Sequence, residues 1–140
     1  MTLIAEATAT STATPAAFFT KWADMATWPE WNQDNEWVTL DGPFEQGATG
    51  TLKPKGGPKT KFVVTELTST EFVDASKLIG ARLIFAHKVV TDGVHTTVTV
   101  RISMEGPLRR LWTAIMGGNL AKSLPGDVDA LVAAAEAVLV

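Results

Sequence analysis

The sequence predicts an α+β fold in which an antiparallel sheet wraps around one long C-terminal helix, and three observations carry that prediction. Between residues 35 and 105, short runs of alternating polar and apolar residues are separated by turn-forming residues. No connection between these runs is long enough for the helical crossover that parallel strands need, so the strands pair as an antiparallel meander with helices segregated to one face. From Leu108 to about Val138 the apolar spacing changes to a helical repeat.

The elements follow in order. Residues 2–12 alternate threonine with small apolar residues, a strand with two differently used faces. Thr14-Pro15 supplies an N-cap and a proline at the first helical position, and the short helix behind it puts Phe18, Phe19 and Trp22 on one side. A second helical turn is expected over 25–31, interrupted by Pro29. Strands are expected at 35–40, 48–53, 60–67, 71–77, 82–91 and 95–105, with hairpin turns at Asp41-Gly42-Pro43, Pro54-Lys55-Gly56-Gly57-Pro58 and Asp92-Gly93. In the final segment, about 30 residues at ~1.5 Å each make a rod of roughly 45 Å, longer than the about 35–40 Å diameter of a compact chain of this size. The helix is therefore expected to bend or break at Gly117-Gly118 and Leu124-Pro125-Gly126. Before the break Leu108, Leu111, Trp112, Ile115 and Met116 share an arc. After it the stripe moves to Leu120, Leu124, Val128, Leu131, Val132 and Ala135, which leaves Asn119 either a polar contact of the cavity or, with the rephasing, turned outward.

Composition narrows the function. The 140 residues, 46% hydrophobic and 19% charged, suit one domain spanning 1–140 with a real core. A formal net charge of -3 argues against a nucleic-acid partner, because counterion release needs clustered Lys and Arg. The chain has no cysteine, which removes disulfides, thiolate metal sites and a cysteine nucleophile, and agrees with a cytoplasmic location. The first residues lack a basic region and carry Glu6 where a signal's apolar run would lie, and no apolar window reaches the ~18 residues of a membrane span, so no stable membrane insertion is expected.

The order strand, two short helices, six-strand meander and long helix occurs together with Trp28-Pro29-Glu30-Trp31, Gly42-Pro43-Phe44-Glu45-Gln46-Gly47, Phe85-Ala86-His87 and Gly106-Pro107-Leu108. In this combination the whole chain resembles the polyketide cyclase/dehydrase-like branch of the START-like superfamily, also called SRPBCC or helix-grip. The resemblance implies a seven-stranded antiparallel sheet wrapped around the final helix, with an apolar cavity between them. It does not decide catalysis, since the superfamily includes cyclases, hydrolases, lipid and quinone carriers and hormone sensors.

Strand parity gives candidate cavity walls. Arg82 and Lys88 share one face, so Leu83, Phe85, His87 and Val89 take the other; in the next strand Val98, Val100, Ile102 and Met104 form the apolar set. Phe62 and Phe72 oppose Val63 and Val73 in parity, and which pair faces inward depends on register or a bulge. The expected ligand-binding set is Trp31, Leu83, Phe85, His87, Val100, Met104, Trp112 and Met116. Trp31 ends the helical pair that should lid the cavity, and Trp112 faces inward from the first turns of the final helix.

His87 is the one titratable residue placed on an apolar sheet face, with two readings: a general acid/base near neutral pH, or a buried imidazole satisfied by a backbone carbonyl. No metal site is expected, because His95 sits beside a turn and no carboxylates with ligand spacing accompany either histidine. No cofactor is expected either, as neither a phosphate-cradling loop nor a dinucleotide fingerprint occurs. Thr65, Glu66, Asp74 and Arg101 are possible supports for His87, with the acids' facing left open. Lys53, Lys55, Lys59 and Lys61 read as a solvated hairpin edge. Arg109 and Arg110 oppose the helix dipole, with Glu105 the expected compensating acid. The chain has no tyrosine, so no phenol is available to polarise a carbonyl. The sequence thus points first to binding of a small hydrophobic, aromatic or lipid-like molecule. The alternatives are a polyketide cyclase/dehydratase-type enzyme using His87, and a quinone or lipid carrier that delivers to a membrane complex and would show an exposed apolar lip.

Overall fold

Alternation at the N-terminus becomes strand β1 (Thr2–Ser11), and Thr14 then caps helix α1 (Pro15–Ala23) by accepting the Ala17 N–H at 3.3 Å. A 3₁₀ turn at Met25–Thr27 leads into α2 (Trp28–Trp31). Pro29 does not interrupt this pair. It occupies the first turn of α2, where its missing N–H has no partner to lose. Strands β2 (Asn35–Leu40), β3 (Thr49–Pro54), β4 (Thr60–Leu67), β5 (Glu71–Leu78), β6 (Ala81–Thr91) and β7 (Thr96–Glu105) follow, then helix α3 (Arg109–Ala137). The computed structural model describes residues 1–32 and 34–138.

All seven strands form one antiparallel sheet in the order β1-β7-β6-β5-β4-β3-β2. β6 and β7 pair from Arg82↔Glu105 to Thr91↔Thr96, closed by Asp92, whose carboxylate accepts the Val94 and His95 N–H groups at 2.8 Å. A bulge between Val64 and Glu66 settles the open parity. It lets Phe62 and Val64 and then Leu67 use the concave face of β4, opposite Phe72, Asp74 and Ser76 of β5. Gly50 sits under Phe62 in register, and a Cβ there would overlap the Phe62 ring and the Thr39 carbonyl.

Helix α3 has neither the break nor the change of phase expected at its glycines and proline. It runs without a break through Gly117-Gly118 and past Pro125, and its inner face keeps one period through Gly117, Leu124, Val128, Leu131 and Ala135. Gly117 is a packing site rather than a break: it is buried where α3 lies against β1, and a Cβ added there would meet the Thr113 methyl at 3.2 Å and Ile4 of β1 at 3.8 Å, leaving no room for a larger side chain. Pro125 lies on the exposed side, where water can take the carbonyl it leaves unbonded. Without a phase change, Leu111 and Ile115 face out, 54% and 60% exposed, instead of joining Trp112 and Met116 on the inner arc. Asn119 is exposed, as the outward reading had it. Glu105 pairs with Arg82, not with the arginines of α3; Arg109 donates to the Gly106 carbonyl at 3.3 Å. At the other end Glu136 accepts from the Ser11 hydroxyl at 2.8 Å, tying the last turn of α3 to the end of β1.

Candidate functional site

The concave face of the sheet carries its side chains in cross-strand rows. One row runs Phe72, His87, Val100; the next Val64, Asp74, Phe85, Ile102; the third Phe62, Ser76, Leu83, Met104. Phe72, Val64 and Met104 are fully packed, but the middle of these rows does not reach α3 and leaves a cavity of about 210 Å³. Met116, Leu120, Leu124 and Val128 of α3 form the opposite wall, and Trp22, Trp28 and Trp31 form the roof. The mouth lies where Asp34, Pro54, Leu120 and Ser123 border both the cavity and an outer groove flanked by Lys55 and Lys122.

The structure places Trp31, Leu83, Phe85, His87, Val100 and Met116 on the cavity wall. Met104 and Trp112 are not on it. Met104 ends its row beside β1, opposite Thr2, and is entirely buried in packing. Trp112 is drawn away by its own polar atom: Nε1 donates to the Ile79 carbonyl at 2.8 Å, pinning the β5–β6 turn to the start of α3.

His87 is held between aromatic rings. It stacks on Phe72 with centroids 4.7 Å apart and planes 11° apart, and Trp22 lies 5.1 Å away. Nδ1 lies 2.9 Å from the Phe72 carbonyl, which fixes Nδ1 as the protonated nitrogen of the neutral ring and leaves Nε2 as the acceptor. Burial pushes its pKa down to about 4, against a smaller upward pull from that carbonyl, so the ring is neutral at pH 7. Its residual exposure is toward the cavity.

The sheet rows also bring in an acid whose facing the sequence left open. Asp74 is 7% exposed, lines the cavity and has no hydrogen-bond partner among the described residues. Burial raises its carboxyl from 3.8 to about 7. Ser76 and Asn35, also buried and on the wall, have side chains equally without partners among the described residues, and the buried Trp31 Nε1 is unpaired too. At the mouth Asp127 of α3 meets Asp34, just before β2. Burial first, then the hydrogen bond with the Asp34 carboxyl and its charge, push Asp127 up to about 8. Sequence reading passed over both. The available signal was that Asp127 interrupts the apolar stripe between Leu124 and Val128. Among the described residues no group of three or more metal-ligating side chains occurs, and no helix is long and apolar enough to cross a membrane.

Solved structures share this architecture. The di-domain ARO/CYC protein StfQ of the steffimycin biosynthetic pathway superposes with a TM-score of 0.72 at 11% identity over 97% of this chain and 50% of its own. A START superfamily protein from Mycobacterium smegmatis gives 0.66 at 13% identity, over 95% and 97% of the two chains. Norcoclaurine synthase from Thalictrum flavum gives 0.70 at 10% identity, over 96% and 91%. The fold is the START-like helix-grip fold. At these identities the likeness is one of fold alone. No family model and no curated protein matches the sequence.

Proposed function

We propose that the chain binds a small hydrophobic, aromatic molecule in the helix-grip cavity. The observation that carries this reading is a cavity of about 210 Å³ with a mainly aliphatic and aromatic wall, reached through a defined mouth. A void of roughly 150 Å³ is enough for benzene, so this one suits a guest of one substituted ring to two fused rings. The unpaired Asp74, Ser76, Asn35 and Trp31 Nε1 supply the few polar contacts that orient such a guest. Calorimetric titration with a neutral two-ring alcohol, 2-(1-naphthyl)ethanol, tests it. Binding to the wild type and loss of binding in Val100→Phe, which fills the space, are expected. Equal heats from both proteins, or none from the wild type, refute it.

A second reading, cyclisation or dehydration of a polyketide-like substrate, is favoured by one pairing. Asp74 and His87 are diagonal neighbours on the concave face, and burial moves them in opposite directions, giving a carboxyl that keeps a proton and an imidazole that stays a free base. His87→Gln separates the readings. A binder keeps its affinity within about tenfold, whereas an enzyme loses on the order of 100-fold or more in turnover while still binding.

A further inference from the structure

The polar part of the cavity has one sign. Asp34, Asp74 and Asp127 reach its wall from the loop before β2, from β5 and from α3, and no lysine or arginine lines it; Lys55 and Lys122 border only the outer groove. Beyond the hydrogen bond between Asp34 and Asp127, carboxyls brought together from three separate elements repel as soon as they ionise. Nor do ion pairs explain them: the four ion pairs among the described residues, Lys53–Glu36, Arg82–Glu105, Lys88–Glu71 and Arg101–Glu6, involve none of the three. Asp74 is more than nine-tenths buried and points into the space without a partner, as do Ser76 and Asn35. A polar side chain in that state gives up much of its water on folding and finds no protein partner in exchange, so a ligand with a donor is well matched to it.

Resting on the binding reading, we propose that the cavity selects arylalkylamines: a one- or two-ring aromatic group packs beneath Trp22, Trp28 and Trp31, and a protonated amine sits between the facing carboxyls of Asp34 and Asp127 at the mouth. Asp34 and Asp127 reach the same mouth from two elements, and one cation with several N–H donors can bridge both carboxyls. Asp74, deeper in, accepts from or donates to a ring substituent. The same arrangement works against fatty acids and aryl carboxylates, because an anion between these carboxyls meets like charge, and Lys55 and Lys122 border only the groove outside.

The test compares three naphthalene compounds that differ at the end of the side chain: 2-(1-naphthyl)ethylamine, 2-(1-naphthyl)ethanol and 1-naphthaleneacetate, each titrated calorimetrically into the intact protein at neutral pH. The amine is expected to bind at least about tenfold more tightly than the alcohol, and the carboxylate more weakly than either. In Asp127→Asn and in Asp34→Asn the amine is expected to lose its advantage, its dissociation constant coming within about twofold of that of the alcohol for the same variant, while an unchanged far-ultraviolet circular dichroism spectrum reports that the variant is folded. An amine that binds no better than the alcohol, or keeps its advantage in both variants, overturns the proposal and leaves the cavity-binding reading standing. If none of the three binds, both fall.

Discussion

Replacing Asp74 with asparagine should make this protein more stable, and by an amount that grows with pH. Asp74 is 7% exposed and unpaired among the described residues, and burial lifts its carboxyl from 3.8 to about 7. In the unfolded chain the group ionises near its ordinary value, while the folded chain holds the proton longer. Native protein therefore binds more protons than unfolded protein between those limits, so stability falls as pH rises from about 3.8 to about 7 and levels off above. At about 1.4 kcal/mol per pKa unit the full loss is about 4 kcal/mol, an upper figure that water in the cavity and relaxation around the charge reduce. Asparagine keeps the size and polarity without the charge. Urea unfolding of both proteins at a series of pH values should give nearly equal stabilities near about pH 4 and an advantage of at least about 1.5 kcal/mol for Asp74→Asn above about pH 8. The remaining titrating groups, His87, Asp34 and Asp127 included, are common to both proteins and largely cancel in the difference. A difference that stays flat across this range, or favours the wild type at high pH, refutes the placement of Asp74 as an unpaired buried carboxyl.

Two substitutions probe the packing that shapes the cavity. Gly117→Ala should be nearly neutral in thermal unfolding, since a Cβ meets the Thr113 methyl at 3.2 Å and Ile4 at an ordinary 3.8 Å while the helix gains propensity; Gly117→Leu should cost about 1–3 kcal/mol by pushing α3 off β1. Equal effects of the two would disprove the close approach. Gly50→Ala should destabilise by a similar about 1–3 kcal/mol and also weaken binding of 2-(1-naphthyl)ethanol, because the displaced Phe62 ring is part of the cavity wall; unchanged stability and affinity would contradict that register.

The sheet was legible in the sequence wherever alternation and turn chemistry agreed. β6, β7 and the Asp92-Gly93 turn have both, and their pairing and facing follow directly. β4 and β5 were not, because each has apolar residues on both parities and the bulge at Val64/Glu66 is a tertiary event with no local signature. Once Phe72 is known to face inward, Asp74 and Ser76 follow by parity alone, so the polar floor of the cavity was hidden behind one undecided residue. The Asp34–Asp127 meeting is remote in sequence and was visible only as a carboxyl inside an apolar stripe. The helix misled for another reason. Gly117 and Pro125 read locally as breaks, but helix formation follows the packing of a face, and here β1 accepts the glycine while solvent accepts the proline.

The two edge strands, β1 and β2, are consecutive in the chain although they lie at opposite ends of the sheet order. The stretch between them, α1, the 3₁₀ turn and α2, must therefore bridge the gap that the ladder leaves open. It also carries Trp22, Trp28 and Trp31 over the cavity. The girth of the chamber is thus set on one side by hydrogen bonds and on the other by a covalent strap of fixed contour length. Small shifts of that strap would change the breadth of the chamber while every rung of the sheet stays intact. Lengthening the strap by a residue or two would be the direct way to retune the chamber for larger molecules.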